Sequence, residues 1–537
     1  MKNCFLKKSS LGGLAAIIVL SVAASATCGG SLTNRTISAD LLKVKGPRSM
    51  AWQDCVGAGR VAEGLRDDWR KQLLECRQEI GFKHLRMHGL FQDDLGVYSE
   101  GSDGRAIYNW QYLDNVYDFL LSSGIKPFVE FGFMPTAMAS GDAKIFWWQA
   151  NVTPPKEYAK WQGLISAAVR HWTRRYGEEE VRQWRFEVWN EPNYPGFWHP
   201  PDGVSPRDEY FKLYEKTVRA VQSVNTNYIV GGPAGAGPVW TAELIGFCDR
   251  ESLPLDFISY HAYGLGDGPS GLDEYGNRKL YLSPNILSVA DAVNSQLPVI
   301  ESSSRPGLPV YITEWSASYS PRDPVHDSYF SAAFILEQLR HTESVKAMSY
   351  WTFTDVFEEN GPPPRPFHGG FGLINLQGIR KPAFWAWKYL AGLGPVELQN
   401  TDASSYVCSD NDGGVQVLLW DITHPTGGTV SDQEFFFHKH PSADRGSVKV
   451  SLKNLKPGDY QLVIRKTGYG YNDPYSRYIE MGQPCDLSID AVAGLKALSS
   501  DKPILEHPVV VPPDGCFETT LSLHENDVYF LSLERKK

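Results

Sequence analysis

The sequence predicts an α/β fold: a (β/α)8 TIM barrel followed by a C-terminal antiparallel β-sandwich. From about Ala51 to Leu393, short apolar segments rich in β-branched and aromatic residues alternate with amphipathic ones, and eight segments are of the short kind. Strands alternating with helices make a parallel sheet, and eight strands over this length suit a closed barrel better than an open sheet. After Leu393 the pattern changes to apolar–polar alternation divided by turn residues, the grammar of a sandwich.

Taken in chain order, residues 1–26 read as an export signal. Lys2, Lys7 and Lys8 precede the apolar run Leu11–Ala24, and Ala24-Ser25-Ala26 fits a small-residue cleavage site. The run is short for a membrane span, so a removed peptide is expected and no integral span. The mature chain is then periplasmic, at the cell surface or secreted, with lipid attachment at Cys28 as an open alternative. Residues 27–50 form a segment expected to return and pair with the sandwich. The barrel is expected over 51–393, with strands at Ala51–Val56, Phe82–Met87, Pro127–Phe131, Arg185–Trp189, Tyr228–Gly232, Asp256–Tyr260, Val310–Thr313 and Met348–Phe353. Amphipathic stretches such as Arg66–Ile80, Tyr112–Ser123, Glu157–Tyr176, Asp208–Val224 and Ser328–Thr342 supply helices between them. No G-x-G-x-x-G follows the first strand, which removes support for a dinucleotide-binding sheet. The sandwich is expected over 394–537, with strands such as Val415–Trp420, Ser447–Leu452, Asp459–Arg465, Pro508–Val511, Phe517–Leu523 and Asp527–Leu533.

Length and composition bound the function. A chain of 537 residues suits two or three domains. The formal net charge of −10, with no Lys/Arg cluster able to neutralise phosphates, argues against a nucleic-acid partner. The 16 Trp and 26 Tyr suit stacking on sugar rings and suit a large aromatic core equally well. Cys55, Cys76, Cys248, Cys408, Cys485 and Cys516 show no CxxC pair and no metal-ligand spacing, so disulfides and buried thiols both stay open. Asn34-Arg35-Thr36 and Asn151-Val152-Thr153 are formal glycosylation sites.

Two carboxylates carry the chemistry. Glu191 lies in WRFEVWNEPNYPGFW and Glu314 in PVYITEWS, each where a short apolar run gives way to polar residues. In a barrel the active groups sit at the C-terminal ends of strands, so Glu191 follows the fourth strand and Glu314 ends the seventh. His88, Glu130, His261 and Trp351 fall at or near strand ends as well. Two carboxyl groups facing one pocket are sufficient to cleave a glycosidic bond: one protonates the leaving oxygen and the other attacks or stabilises the cationic sugar. Trp189, Phe197 and Trp198 give Glu191 an apolar neighbourhood that favours its protonated form. Glu314 has to stay ionised as a nucleophile, and Tyr263 or His261 is placed to donate to it. No metal or organic cofactor is called for, because the two carboxylates suffice.

At these residues the chain resembles the retaining glycoside hydrolases of family thirty-nine, the β-xylosidase and α-L-iduronidase family, and is most similar to its β-xylosidase branch. The likeness runs through WQDCVGAGRVAEGLR, IGFKHLRMHGLFQDD, KPFVEFGFMP, FEVWNEPN, LDFISYHAYG, YITEWSAS, SYWTFTDVFEE and FHGGFGL, and into the sandwich with VQVLLWDIT and GYGYNDPY. It implies Glu191 as acid/base, Glu314 as nucleophile and Asn190 at the 2-hydroxyl side of the bound sugar. It implies that His88, His261 and Tyr263 line the subsite, that Trp351 walls it, and that Glu358 or Glu359 binds hydroxyls. Trp315 is a second candidate wall. Arg86 is expected to neutralise buried carboxylates and position Glu314, with Glu130 as its partner. Phe131 and Phe133 fit core and subsite alike, and His368 is a candidate for the entrance.

The expected activity is an exo-acting retaining glycosidase, releasing xylose from the non-reducing end of an oligosaccharide or glycoside. A uronic-acid substrate calls for a dedicated cation, and beyond Arg86, Lys144 and Arg365 the sequence offers no clear one. An α-L-iduronidase-like or other glycosidase therefore stays open, as does an exported sugar-binding protein without catalysis. A homo-oligomer, with the sandwich shaping a neighbour's cleft, is a further open expectation.

Overall fold

The computed structural model describes residues 33–273 and 276–536. The expected signal peptide, its cleavage site and Cys28 lie outside the described residues. Eight parallel strands close a barrel: β1 (Cys55–Arg60), β2 (His84–His88), β3 (Lys126–Phe131), β4 (Arg185–Val188), β5 (Ile229–Gly235), β6 (Phe257–Tyr263), β7 (Val310–Ser316) and β8 (Ala347–Tyr350). Neighbours in the chain are neighbours in the barrel, and Tyr350 beside Val56 closes the ring. The first strand differs from expectation. Ala51–Asp54 is a helical turn, and the strand begins at Cys55. Ala51 and Trp52 are apolar because this turn is buried, which short apolar runs cannot distinguish from a strand.

The helices bury one stripe each against the barrel. Tyr158–Tyr176 buries Trp161, Leu164, Ile165, Ala168, Val169 and Trp172, a spacing of three and four that keeps them on one face. Its Arg174 and Arg175 fall in the last turn, where cations offset the helix dipole. Pro206–Gln222 starts on Ser205, whose side chain accepts from Asp208 N, with proline in the first turn.

Beyond the barrel a seven-stranded sheet runs Val44–Pro47, Val396–Leu398, Ser405–Ser409, Val415–Trp420, Val528–Arg535, Gly458–Thr467 and Leu505–Val511 in spatial order. A three-stranded sheet faces it: Thr33–Asp40, Asp444–Lys453 and Phe517–His524. Ile37, Val448, Val450 and Leu452 from one sheet share a core with Val415, Val417, Leu419, Leu462 and Leu531 from the other. The pairing is antiparallel except that Thr33–Asp40 runs parallel to Asp444–Lys453. A parallel neighbour needs a long connection, and the entire barrel separates these two strands in sequence. Strand Val415–Trp420 is buried on both faces. Its odd-numbered side chains enter the sandwich, whereas Leu418 and Trp420 join the barrel core. Trp420 Nε1 donates to Glu337 Oε2 at 2.7 Å, and Tyr389 stacks on Phe530 at 5.4 Å. The two regions thus share a continuous hydrophobic interior.

Among the described residues no helix is long and apolar enough to cross a membrane. The six described cysteines are unpaired; Cys55, Cys76, Cys248 and Cys408 are buried, and Cys485 and Cys516 are exposed.

Candidate active site

The C-terminal ends of the barrel strands converge on Arg86, which is fully buried. On β2 the alternation of a strand sends Arg86 and His88 to the same side. Arg86 Nε donates to Glu187 Oε2 at 2.6 Å, Nη1 to Glu314 Oε1 at 2.7 Å, and Nη2 to Asn190 Oδ1 at 2.8 Å. Nη2 also stands 2.9 Å from Glu130 Oε2. Three carboxylates around one guanidinium cannot all be neutralised by it. Burial pushes Glu130 up to about 8 against the opposing pull of Arg86. Glu130 Oε2 lies 2.6 Å from His88 Nδ1, which orients the ring so that Nε2 is 3.4 Å from Glu314 and 3.8 Å from Glu359. Burial holds His88 down at about 3, so the imidazole is neutral.

Glu314 reaches the cavity through a bulge. The pairing of β7 slips between Ile312 and Trp315 against β8, and at the same place against β6. One extra residue in a strand re-aims the side chains that follow it. Thr313 and Glu314 therefore both face inward, Thr313 Oγ1 donating to Glu187 Oε1 at 2.9 Å. Tyr263 OH donates to Glu314 Oε2 at 2.7 Å. Glu314 thus accepts one charge-assisted hydrogen bond from Arg86 and one hydrogen bond from Tyr263.

The bulge also overturns one expectation. Trp315 points away from the sugar site and is completely buried, edge-on to Tyr350 and Trp387 at 5.4 and 6.1 Å. Its place on the wall is taken by Trp351, whose ring lies 4.7 Å from His88.

Glu191 sits in a tight turn after β4. Its φ of 46° lies in the left-handed region that residues with a side chain seldom enter. Glu191 N donates to Ala234 O at 2.8 Å, and Tyr194 N donates to Glu191 O at 2.9 Å, so the turn is held from both sides. Beneath it Trp189 packs on Trp198 at 5.0 Å. Burial pushes Glu191 up to about 8, with Arg86 opposing and Glu130 reinforcing the rise. His261 Nδ1 stands 2.7 Å from Glu191 Oε1 and 3.4 Å from Glu314 Oε2. Burial lowers His261 to about 4, leaving it neutral. Donor atoms of Glu191, His261 and Glu314 all lie within 4.8 Å of one another. That spacing would admit a cation in principle. Here Arg86 already brings a full positive charge to Glu314, and His261 is engaged with Glu191.

His88, Glu191, His261, Tyr263, Glu314, Trp351 and Glu359 line one cavity of about 570 Å3. Asn190, buried beside them, offers an amide Nδ2 with no hydrogen-bond partner among the described residues. Of the two glutamates after β8, Glu359 lines the cavity. Glu358 turns outward to Arg60 and Arg66, at 2.9 and 3.0 Å, and does not join the sugar site. Burial, together with the charges of Glu314 and Glu63, raises Glu359 well above the usual carboxylate range. Phe131 is core, stacked on Phe186 at 5.4 Å, and Phe133 backs His88 at 5.7 Å. Lys144, Arg365 and His368 do not line the cavity.

Several residues in or beneath the cavity lie outside every sequence signal. Glu187 shares Arg86 from within a strand read as apolar. Tyr194 and Tyr319 stand at the mouth, 51% and 48% exposed. Arg278 lines the cavity from the segment after β6, where loop residues follow no periodicity. That segment is pinned by a short helix, Asp432–Phe436, from the C-terminal half. Asp432 N donates to Leu280 O at 2.7 Å, Leu282 N to Asp432 Oδ1 at 3.0 Å, and Gln433 Nε2 to Arg278 O at 3.2 Å. Burial and the charge of Asp323 raise Asp432 well above the ordinary range.

The family model for glycosyl hydrolases family 39 matches residues 37–518. A β-xylosidase of Geobacillus stearothermophilus is 39% identical over 493 residues, 90% of this chain and 92% of that protein. Among solved structures, a monomeric β-xylosidase from Caulobacter crescentus CB15 superposes with a TM-score of 0.89 at 42% identity, covering 94% of this chain and all of that one. The GH39 enzyme from Xanthomonas axonopodis pv. citri also gives a TM-score of 0.89 at 42% identity, over 94% of this chain and 98% of that one.

Proposed function

Because the chain belongs to glycosyl hydrolases family 39, we propose that it is a retaining β-xylosidase releasing xylose from non-reducing ends, with Glu314 as nucleophile and Glu191 as acid/base. The observation that carries this reading is the pair itself: an oxygen of Glu191 and one of Glu314 lie within 4.8 Å across the cavity. Retaining enzymes hold their carboxyl groups about 5–5.5 Å apart, whereas inverting ones leave roughly 6.5–9.5 Å for a water. Their surroundings favour the same roles. Glu191, pushed up to about 8, holds the proton that the departing oxygen needs at neutral pH. Glu314, facing Arg86 and Tyr263, is the carboxylate that attacks the anomeric carbon. Water, deprotonated by the now ionised Glu191, then releases the sugar.

Asn190 is the donor to the 2-hydroxyl. Its Oδ1 is committed to Arg86, which fixes the amide so that Nδ2 remains for substrate. Neutral His88 and the buried Glu359 bind the other hydroxyls, and Trp351 backs the ring. The preference for xylose over other sugars is supported by the β-xylosidases to which the chain is similar over most of its length. Export of the mature enzyme is proposed from the N-terminal Lys residues and apolar run, and is checked by fractionating cells that express the full chain.

A panel of aryl glycosides, followed by NMR of the first-formed anomer, tests activity and stereochemistry together. Release of β-xylose first is expected; α-xylose first overturns retention. Glu314→Ala should lower turnover by about 10^4-fold or more. Wild-type rates in that variant would end the assignment.

A further inference from the structure

The catalytic cavity does not end at the residues that hold one sugar. It shares Leu265, Arg278 and Tyr319 with a second cavity of about 330 Å3, lined also by Asp267, Ser270, Lys279 and Tyr281. The first cavity is deepest at His88, His261, Glu314 and Trp351, all buried, whereas Tyr319 and Arg278 are exposed at its mouth. The sugar that is cleaved off sits at the floor, so whatever extends into the second cavity belongs to the leaving group.

The charge at this junction is one-sided. Among the described residues no carboxylate pairs with the Arg278 guanidinium. Lys279 Nζ is 3.9 Å from Glu434, a loose pair, and Asp267 is the acidic residue among those lining the second cavity. Arg278 is not a stray surface cation. Its carbonyl is held by Gln433, and a bridge to Leu272 folds its loop back on itself. A guanidinium presents paired N–H donors that match a carboxylate better than a hydroxyl.

We infer that Arg278 and the second cavity form a subsite for a leaving group that bears a carboxylate, such as a uronic acid or a uronate-substituted sugar. The inference rests on the glycosidase reading above and names a substrate class for the same site.

The test is a matched pair of aryl β-xylosides, one with a carboxylate on the aglycone and one with the corresponding carboxamide, assayed on wild type, Arg278→Gln and Arg278→Lys. Arg278 is exposed, so a modest effect is expected. Wild type should favour the carboxylate in kcat/KM by about three- to fivefold at low ionic strength, relative to Arg278→Gln. Arg278→Lys should restore part of that preference, and about 0.5 M salt should remove it. A carboxylate-to-carboxamide ratio that is the same in wild type and Arg278→Gln overturns the subsite. If the enzyme cleaves some other glycoside, the same pair is built on that sugar, so the fate of the xylosidase reading and that of the subsite are read separately.

Discussion

At and beneath the floor of the cavity, Arg86, Glu130, Glu187 and Glu314 come from four barrel strands and are buried. At the rim, Tyr194, Arg278 and Tyr319 stand on loops and remain exposed. The floor is held by charge against charge at 2.6–2.9 Å. The Arg278 segment of the rim is held by backbone, carboxyl and carboxamide hydrogen bonds from the helix Asp432–Phe436. On the proposed reading, the chemistry and the choice of leaving group are carried by different parts of the molecule. A buried network tolerates little change, because removing one partner strands the others without solvent. A loop rim can change its side chains without disturbing the carboxyl pair.

The harshest way to break this comparison is Arg86→Met. It leaves Glu130, Glu187 and Glu314 buried without their cation and should cost about 3–5 kcal/mol in chemical denaturation, together with nearly all turnover. Unchanged stability would mean that the floor is not an electrostatic unit. Next is Glu191→Gln. Substrates with poor leaving groups should slow by about 10^2–10^4-fold, while activated aryl xylosides, which need little protonation, lose far less. The sign of the pH dependence follows from the raised value: Glu191 holds its proton below about 8 and loses it above, so kcat/KM should fall as pH rises through about 8. That alkaline limb should vanish in Glu191→Gln on activated substrates, and its persistence there would assign the limb to another group. The smallest effect is expected from Gln433→Ala, which removes one pin of the rim. Unfolding free energy should drop by about 0.5–1.5 kcal/mol. Turnover of small aryl xylosides should hold, and the carboxylate preference should shrink. Equal loss on all substrates would show that the rim and the floor are mechanically one.

Much of this was legible in the chain. The barrel strands announced themselves because each is short, apolar and separated from the next by a helix-length segment. Glu191 and Glu314 were legible because the motifs around them place carboxylates at strand ends. Trp315 was misread because strand periodicity cannot reveal a bulge: one inserted residue reverses the facing of everything after it. Glu358 and Glu359 are adjacent and chemically identical, so only the position of Arg60 and Arg66 separates the outward one from the inward one.

The sequence by itself determined the barrel, the apolar alternation of the sandwich and the place of Glu191 and Glu314 at strand ends, since these depend on local periodicity and on residue types at strand ends. Tertiary structure alone decided how far burial raises Glu191, which way Trp315 turns and which cation stands at the mouth. Those outcomes depend on burial and on partners far apart in the chain, 228 residues in the case of Arg86 and Glu314. Dielectric and distance act through space, and no stretch of chain encodes them locally.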